Sequence, residues 1–137
     1  MTYLVNASTK KCPPKKYCIF RSINFNEHPG ADRESHRAWS YGKAWKDFRF
    51  DPATGISYSP NPTDVVESVI NNGVGRTIYF MEWNFVPAAP STKVCLGVRS
   101  GHAVRNVRAY TGGDAGYGSV SFSKPEECTV KYSAGKD

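Results

Sequence analysis

The sequence predicts an all-β, disulfide-stapled domain built from two Greek-key motifs, and three observations carry that prediction. Two eight-residue stretches read almost alike: Cys18-Ile19-Phe20-Arg21-Ser22-Ile23-Asn24-Phe25 and Ile78-Tyr79-Phe80-Met81-Glu82-Trp83-Asn84-Phe85. Each carries Phe, four residues, Phe, with Asn directly before the second ring, so one supersecondary unit occurs twice. Composition is the second: 13% aromatic residues with 12 Gly and 9 Pro fit short strands separated by many turns. Third, no long apolar rhythm of helical period runs through the 137 residues.

The repeat also predicts a bend. Phe20 and Phe25 are an odd number of positions apart, so an unbroken strand would aim them at opposite faces of the sheet. A corner between them brings both rings onto one core. At 137 residues the chain suits one domain, or two very small ones sharing an interface, and an apolar fraction of 39% argues against disorder. No stretch approaches the roughly 20 apolar residues needed to span a bilayer, so a soluble protein is expected.

Along the chain, residues 1–11 read as a polar lead-in and 133–137 as a polar tail, both expected to fray. Residues 12–132 form the domain, with the first Greek key over 12–74 and the second over 75–132. Cys18 to Phe25 is the first strand unit. After His28-Pro29-Gly30, residues 31–46 mix charges with Trp39, Tyr41 and Trp45, as a helical turn or a long loop. These aromatics, with Tyr58, either pack the extra material of the first repeat or form an exposed recognition surface. Lys46-Asp47-Phe48-Arg49-Phe50 alternates like a strand, and Asp51-Pro52-Ala53-Thr54-Gly55 turns it. Beyond Pro60-Asn61-Pro62, Val65 to Ile70 is the next strand, closed by Asn71-Asn72-Gly73.

The second half retraces this order. Thr77 to Phe85 is the strand unit, Val86-Pro87-Ala88-Ala89-Pro90 a loop and Lys93 to Val98 a strand. Arg99-Ser100-Gly101 turns, Asn106 to Tyr110 is a strand, and Thr111 to Gly116 breaks it. Ser119 to Phe122 and Thr129 to Tyr132 are extended. Strand, long corner, strand, strand, repeated, is the pattern of two facing Greek keys.

Four cysteines show no zinc-ligand rhythm, and His28, His36 and His102 are scattered, so no metal site is expected and disulfides are the first reading. Of the three pairings that four cysteines allow, spacing favours Cys12 with Cys18 around Pro13-Pro14-Lys15-Lys16-Tyr17, leaving Cys95 for Cys128. The loop-entropy model gives the short bridge about 2.4 kcal/mol and the long one nearer ~4 kcal/mol. An oxidising compartment follows; the alternative is four reduced, buried thiols in a cytosolic protein. Met1-Thr2-Tyr3-Leu4-Val5 has neither the basic start nor the apolar core of a secretion signal. A secreted protein is therefore expected in a form without its signal peptide.

The formal charge of +6 attracts polyanions, although such charge is ordinarily a solvated face. No nucleic-acid module and no ordered alternation of aromatic and basic residues appears, so no specific nucleic-acid partner is expected. His28 and His36, flanked by Glu27, Asp32 and Glu34 with Arg33 or Arg37, could serve a small ribonuclease, or lie on a solvent loop. Ser100-Gly101-His102 sets a hydroxyl beside an imidazole, but adjacency in sequence does not arrange a triad. Disulfide pairing consumes every cysteine nucleophile. No catalytic residue and no cofactor is expected.

Cys12-Pro13-Pro14-Lys15-Lys16-Tyr17-Cys18-Ile19-Phe20 resembles the opening of secreted peptidase inhibitors of family I36. Val66-Glu67-Ser68-Val69-Ile70-Asn71-Asn72-Gly73, leading into Arg76-Thr77-Ile78-Tyr79-Phe80, is similar to that family's link between repeats. Cys95-Leu96-Gly97-Val98-Arg99-Ser100-Gly101 resembles its following strand and turn, so the likeness spans residues 12–110. It implies a βγ-crystallin-like fold, two Greek keys packed as a sandwich. Phe20 with Phe25 and Phe80 with Phe85 match the aromatic half of the crystallin repeat, but Glu27 and Pro87 stand where that repeat has Gly. Calcium-binding members use oxygen ligands at places that here read Thr63-Asp64-Val65-Val66-Glu67-Ser68 and Arg105-Asn106-Val107-Arg108-Ala109-Tyr110. The second copy carries positive charge there, so no strong calcium site is expected, with Asp64 and Glu67 as the residues that would hold a weak one.

The resemblance implies a non-catalytic inhibitor of an extracellular peptidase, and a monomer is expected. Inhibition needs an exposed segment held rigid, so that it enters a cleft with little further ordering. Three loops qualify: the loop holding Pro13, Pro14, Lys15, Lys16 and Tyr17; the Asp51–Pro62 passage with Tyr58, Pro60, Asn61 and Pro62; and Val86–Thr92, stiffened by Pro87 and Pro90. The alternative from another class is a small basic secreted toxin or antimicrobial protein on a polyanionic surface. The ribonuclease built on His28 and His36 is the third.

Overall fold

Burial on both faces explains the most apolar strand of the first half. In Lys16–Phe20 (β2), Tyr17 and Ile19 project to one side and Cys18 and Phe20 to the other, and all four are fully buried. A short continuous apolar run is the sequence mark of such a strand. The computed structural model describes residues 2–4, 12–20, 25, 38–41, 50–51, 56–57, 66–81, 94–111, 119–126 and 128–135.

The remaining strands are Thr2–Leu4 (β1), Ala38–Tyr41 (β3), Phe50–Asp51 (β4), Ile56–Ser57 (β5), Ser68–Asn72 (β6), Ile78–Met81 (β7), Val94–Val98 (β8), Ala103–Val104 (β9), Ser119–Ser121 (β10) and Thr129–Tyr132 (β11). Among the described residues one sheet runs β1-β3-β2-β6-β9, with every pairing antiparallel. The other runs β10-β7-β8-β11, in which β11 lies parallel to β8. β4 and β5 form a separate antiparallel ribbon, with Asp51 opposite Ile56. Among the described residues the fold is mostly β, with two main sheets and two disulfides.

One set of buried side chains draws on both sheets. Tyr17, Ile19 and Val69 from the first meet Ile78, Phe80, Leu96, Val98 and Val120 from the second, with Val66, Val104 and Val107 completing the cluster. The Tyr17 ring stands edge-on to Phe80 and to Phe122, each at 6.4 Å between centroids. On the other face of β2, Cys18 and Phe20 join Cys12, Phe25 and Ala103 in a second, smaller core.

Odd spacing predicts a corner that brings Phe20 and Phe25 onto one core; residues 21–24 lie outside the described residues, and the two rings do share the smaller core. Phe25 has φ of 55° and its N–H donates to Ser68 Oγ at 3.0 Å. Its ring then meets Phe20 at 5.6 Å, near-perpendicular. The matching corner at Phe85 lies outside the described residues.

Several expectations are corrected. Asn106 to Tyr110, read as a strand, instead opens the short helix Val107–Thr111 (α1). Val107 and Tyr110, three apart, share the face turned to the core, while Arg108 and Ala109 are exposed. The strand read over Val65 to Ile70 starts later, at Ser68, and continues to Asn72. Asn71 therefore sits inside a strand instead of in a turn, fully buried. Its Nδ2 donates to the carbonyls of Arg76 and Val98 at 2.9 and 3.0 Å, and its Oδ1 accepts from Val74 N–H at 3.2 Å. Such full satisfaction is what lets a polar side chain lie in the interior. Gly73, with φ of 80°, makes the turn that follows.

Both chain ends, expected to fray, are held where they are described. Thr2–Leu4 pairs with β3. Ser133 is 1% exposed, its N–H donates to the Gly97 carbonyl at 2.8 Å, and Ala103 N–H donates to Gly135 O at 2.8 Å.

Parallel β11 dictates a glycine in β8. A Cβ built on Gly97 would stand 2.9 Å from Tyr132 Cδ1 and 2.9 Å from Val130 Cγ1. Gly97→Ala is therefore expected to destabilise by about 1–3 kcal/mol through overpacking. Thermal unfolding checks this; a melting temperature equal to wild type would show that Tyr132 does not lie over the glycine.

Candidate functional site

The short disulfide loop is the best-defined candidate, and its rigidity builds up from residue types. Cys12 and Cys18 are bonded, with Cα atoms 5.9 Å apart, and their loop is pinned to the central strand of the first sheet. Pro14 and Lys15 occupy a turn in which Lys15 has φ of 61°. Pro at the second position and positive φ at the third is the pattern of a type II turn, which ordinarily takes Gly at the third. A lysine there costs roughly 1–2 kcal/mol and persists only where the surroundings over-determine it.

Asn72 is that surrounding. Its carbonyl accepts the Lys15 N–H at 2.7 Å, and its Nδ2 donates to the Cys12 carbonyl at 2.8 Å. Lys16 faces Asn72 in the β2–β6 ladder. The loop is thus fastened at its base, its tip and its exit. Pro13 is half-buried, and Pro14, Lys15 and Lys16 are exposed. Neither lysine forms an ion pair among the described residues. Asn72 was hidden in the sequence inside Asn71-Asn72-Gly73, which reads as turn chemistry, and its contact with Cys12 spans 60 positions.

Tyr17, grouped with the loop by sequence, is corrected: it is fully buried in the core and offers nothing to a partner. Burial pushes its phenol well above the usual tyrosine value. The folded state therefore keeps this proton while the unfolded chain releases it above about pH 10. Stability contributed by the neutral phenol is complete below that pH and declines as pH rises above it. Denaturant midpoints between pH 8 and 11.5 should fall less steeply in Tyr17→Phe than in wild type; equal slopes would contradict the burial.

Tyr58, Pro60, Asn61, Pro62, Pro87 and Pro90 lie outside the described residues, as do His28, His36 and their acidic and basic neighbours. Ser100 and His102 are not partners. Ser100 Oγ accepts the Gly75 N–H at 3.0 Å, whereas His102 Nδ1 lies 2.8 Å from Ser133 Oγ. Ser133 also accepts the Arg99 N–H at 3.0 Å and is buried, so its hydroxyl bolts the C-terminal segment to the sheet. Glu67 is held by Arg108, whose Nη2 and Nε donate to its two oxygens at 2.9 and 3.1 Å. That bidentate pair occupies the carboxylate; Asp64 lies outside the described residues.

Two further surfaces were not legible in the sequence. A groove of about 330 Å³ beside the β9 edge is lined by Phe25, Ile70, Asn72, Ala103 and Arg105. On the second sheet, Tyr79 meets Tyr132 at 6.2 Å and the Arg99 guanidinium lies 4.4 Å above the Tyr132 ring. No helix among the described residues is long and apolar enough to cross a membrane. Comparison with known proteins finds no matching family model, no matching curated protein and no matching solved structure.

Proposed function

We propose that this chain is a secreted, non-catalytic inhibitor of an extracellular peptidase that acts by inserting the Cys12–Cys18 loop into the active-site cleft. The observation that carries the reading is the threefold fastening of an exposed tip: the disulfide, the Lys15 N–H on the Asn72 carbonyl, and the Asn72 amide on Cys12. A segment already ordered in its free state loses little entropy on docking, so more of its contact energy appears as affinity. Of the three loops singled out by sequence, this is the one whose residues are all described. The scaffold is read as a monomeric βγ-crystallin-like pair of Greek keys packed as a sandwich, a reading supported by the core shared between the two sheets. Two formed disulfides fit an oxidising compartment.

The test is titration of serine, cysteine, aspartic and metallo-peptidases of known active-site concentration. Stoichiometric loss of activity in at least one class supports the reading. Digestion of the protein by the whole set, with no member slowed, overturns it. The exposed cations Lys15, Lys16 and Arg105 favour one alternative, a basic toxin on a polyanionic surface; growth inhibition that vanishes with added salt would point there.

A further inference from the structure

Resting on that reading, we infer that the target is a serine peptidase whose primary specificity pocket carries a buried carboxylate, and that Lys15 fills this pocket as an uncleaved plug. The exposed part of the loop offers Pro14, Lys15 and Lys16 and no large apolar side chain, because Tyr17 is turned into the core. An ammonium entering an apolar pocket would lose its hydration without replacement, which opposes binding. A pocket floored by a carboxylate replaces that hydration with a charge-assisted hydrogen bond, the arrangement by which lysine-specific serine peptidases choose their substrates. Lys15 has no ion pair to break among the described residues, so its charge is available.

Backbone geometry separates Lys15 from Lys16 and plug from substrate. Lys16 opens β2, where its backbone is committed to the ladder opposite Asn72, whereas Lys15 sits in the turn itself. Peptide bonds are cleaved from an extended backbone laid along the cleft. Lys15 has φ of 61° and its N–H is held at 2.7 Å, so the Lys15–Lys16 bond is presented folded back. Straightening it would break the Asn72 contact and the start of the ladder together. The side chain enters; the bond stays whole.

Inhibition constants against trypsin, chymotrypsin and thermolysin, measured for wild type, Lys15→Glu, Lys15→Ala and Lys15→Arg, test this. Lys124→Glu, an exposed site off the loop, controls for net charge, and melting temperatures confirm folding. Expected are inhibition of trypsin, its weakening by about 100-fold in Lys15→Glu and Lys15→Ala, and retention within ~10-fold in Lys15→Arg. Mass spectrometry of the long-incubated complex should find the Lys15–Lys16 bond intact. Inhibition of chymotrypsin or thermolysin alone, untouched by Lys15→Glu, overturns the inference and leaves the inhibitor reading standing. Accumulated cleavage at Lys15–Lys16 in the trypsin complex overturns the plug. Inhibition of no peptidase in the wider set overturns both.

Discussion

Phe80→Ala is expected to lower the unfolding free energy by about 4 kcal/mol, a large share of the ~5–15 kcal/mol that holds a domain of this size together. Phe80 is fully buried in β7, opposite Val120 on one side and Leu96 on the other. Its ring meets Tyr17 from the other sheet edge-on at 6.4 Å, so truncation opens a cavity where the two sheets share their core. Tyr17 directly follows the exposed loop, and loosening its ring should loosen the loop's exit as well. Urea unfolding with an unchanged slope checks the magnitude. A loss below about 1 kcal/mol would mean that the sheets do not meet at this ring.

The two disulfides should separate stability from function. Replacing Cys95 and Cys128 by serine frees a span of 33 positions and is expected to cost about 3.8 kcal/mol, against about 2.4 kcal/mol for the span of 6 between Cys12 and Cys18. Cys18 is also fully buried beside Phe20, so a polar serine there adds to the shorter bridge's figure. Inhibition should rank the other way. Cys95→Ser with Cys128→Ser leaves the loop pinned and should keep its inhibition constant where it remains folded, whereas Cys12→Ser with Cys18→Ser should weaken inhibition more than it weakens the fold. Equal effects of both pairs on inhibition would contradict a role particular to the short loop.

Legibility followed how local each signal was. Strand character at Cys18-Ile19-Phe20 and at Val94–Val98 is written in short apolar runs, and the meeting of Phe20 with Phe25 in the odd spacing of two rings. The disulfide partners were favoured by loop length alone. Asn106-Val107-Arg108-Ala109-Tyr110 was misread because five residues with apolar side chains at 107 and 109 satisfy a strand's alternation, and only the core beneath Val107 and Tyr110 selects the helix. Tyr17 was legible in principle: it shares parity with Ile19, and both face the main core. Asn72, Gly97 and Ser133 depend on partners 57, 33 and 31 or more positions away, where no local pattern reaches.

The loop itself is the most direct place to test the central claim. In a variant carrying Pro13→Gly, Pro14→Ser, Lys15→Gly and Lys16→Ser together, both cysteines remain and glycine accepts the positive φ at position 15. Lost proline stiffness and relieved strain at Lys15 act in opposite directions, so the melting temperature should stay within a few degrees of wild type. The inhibition constant against the peptidase that wild type titrates should rise by about 100-fold or more. A folded variant that inhibits as tightly as wild type would contradict the assignment of inhibition to this loop.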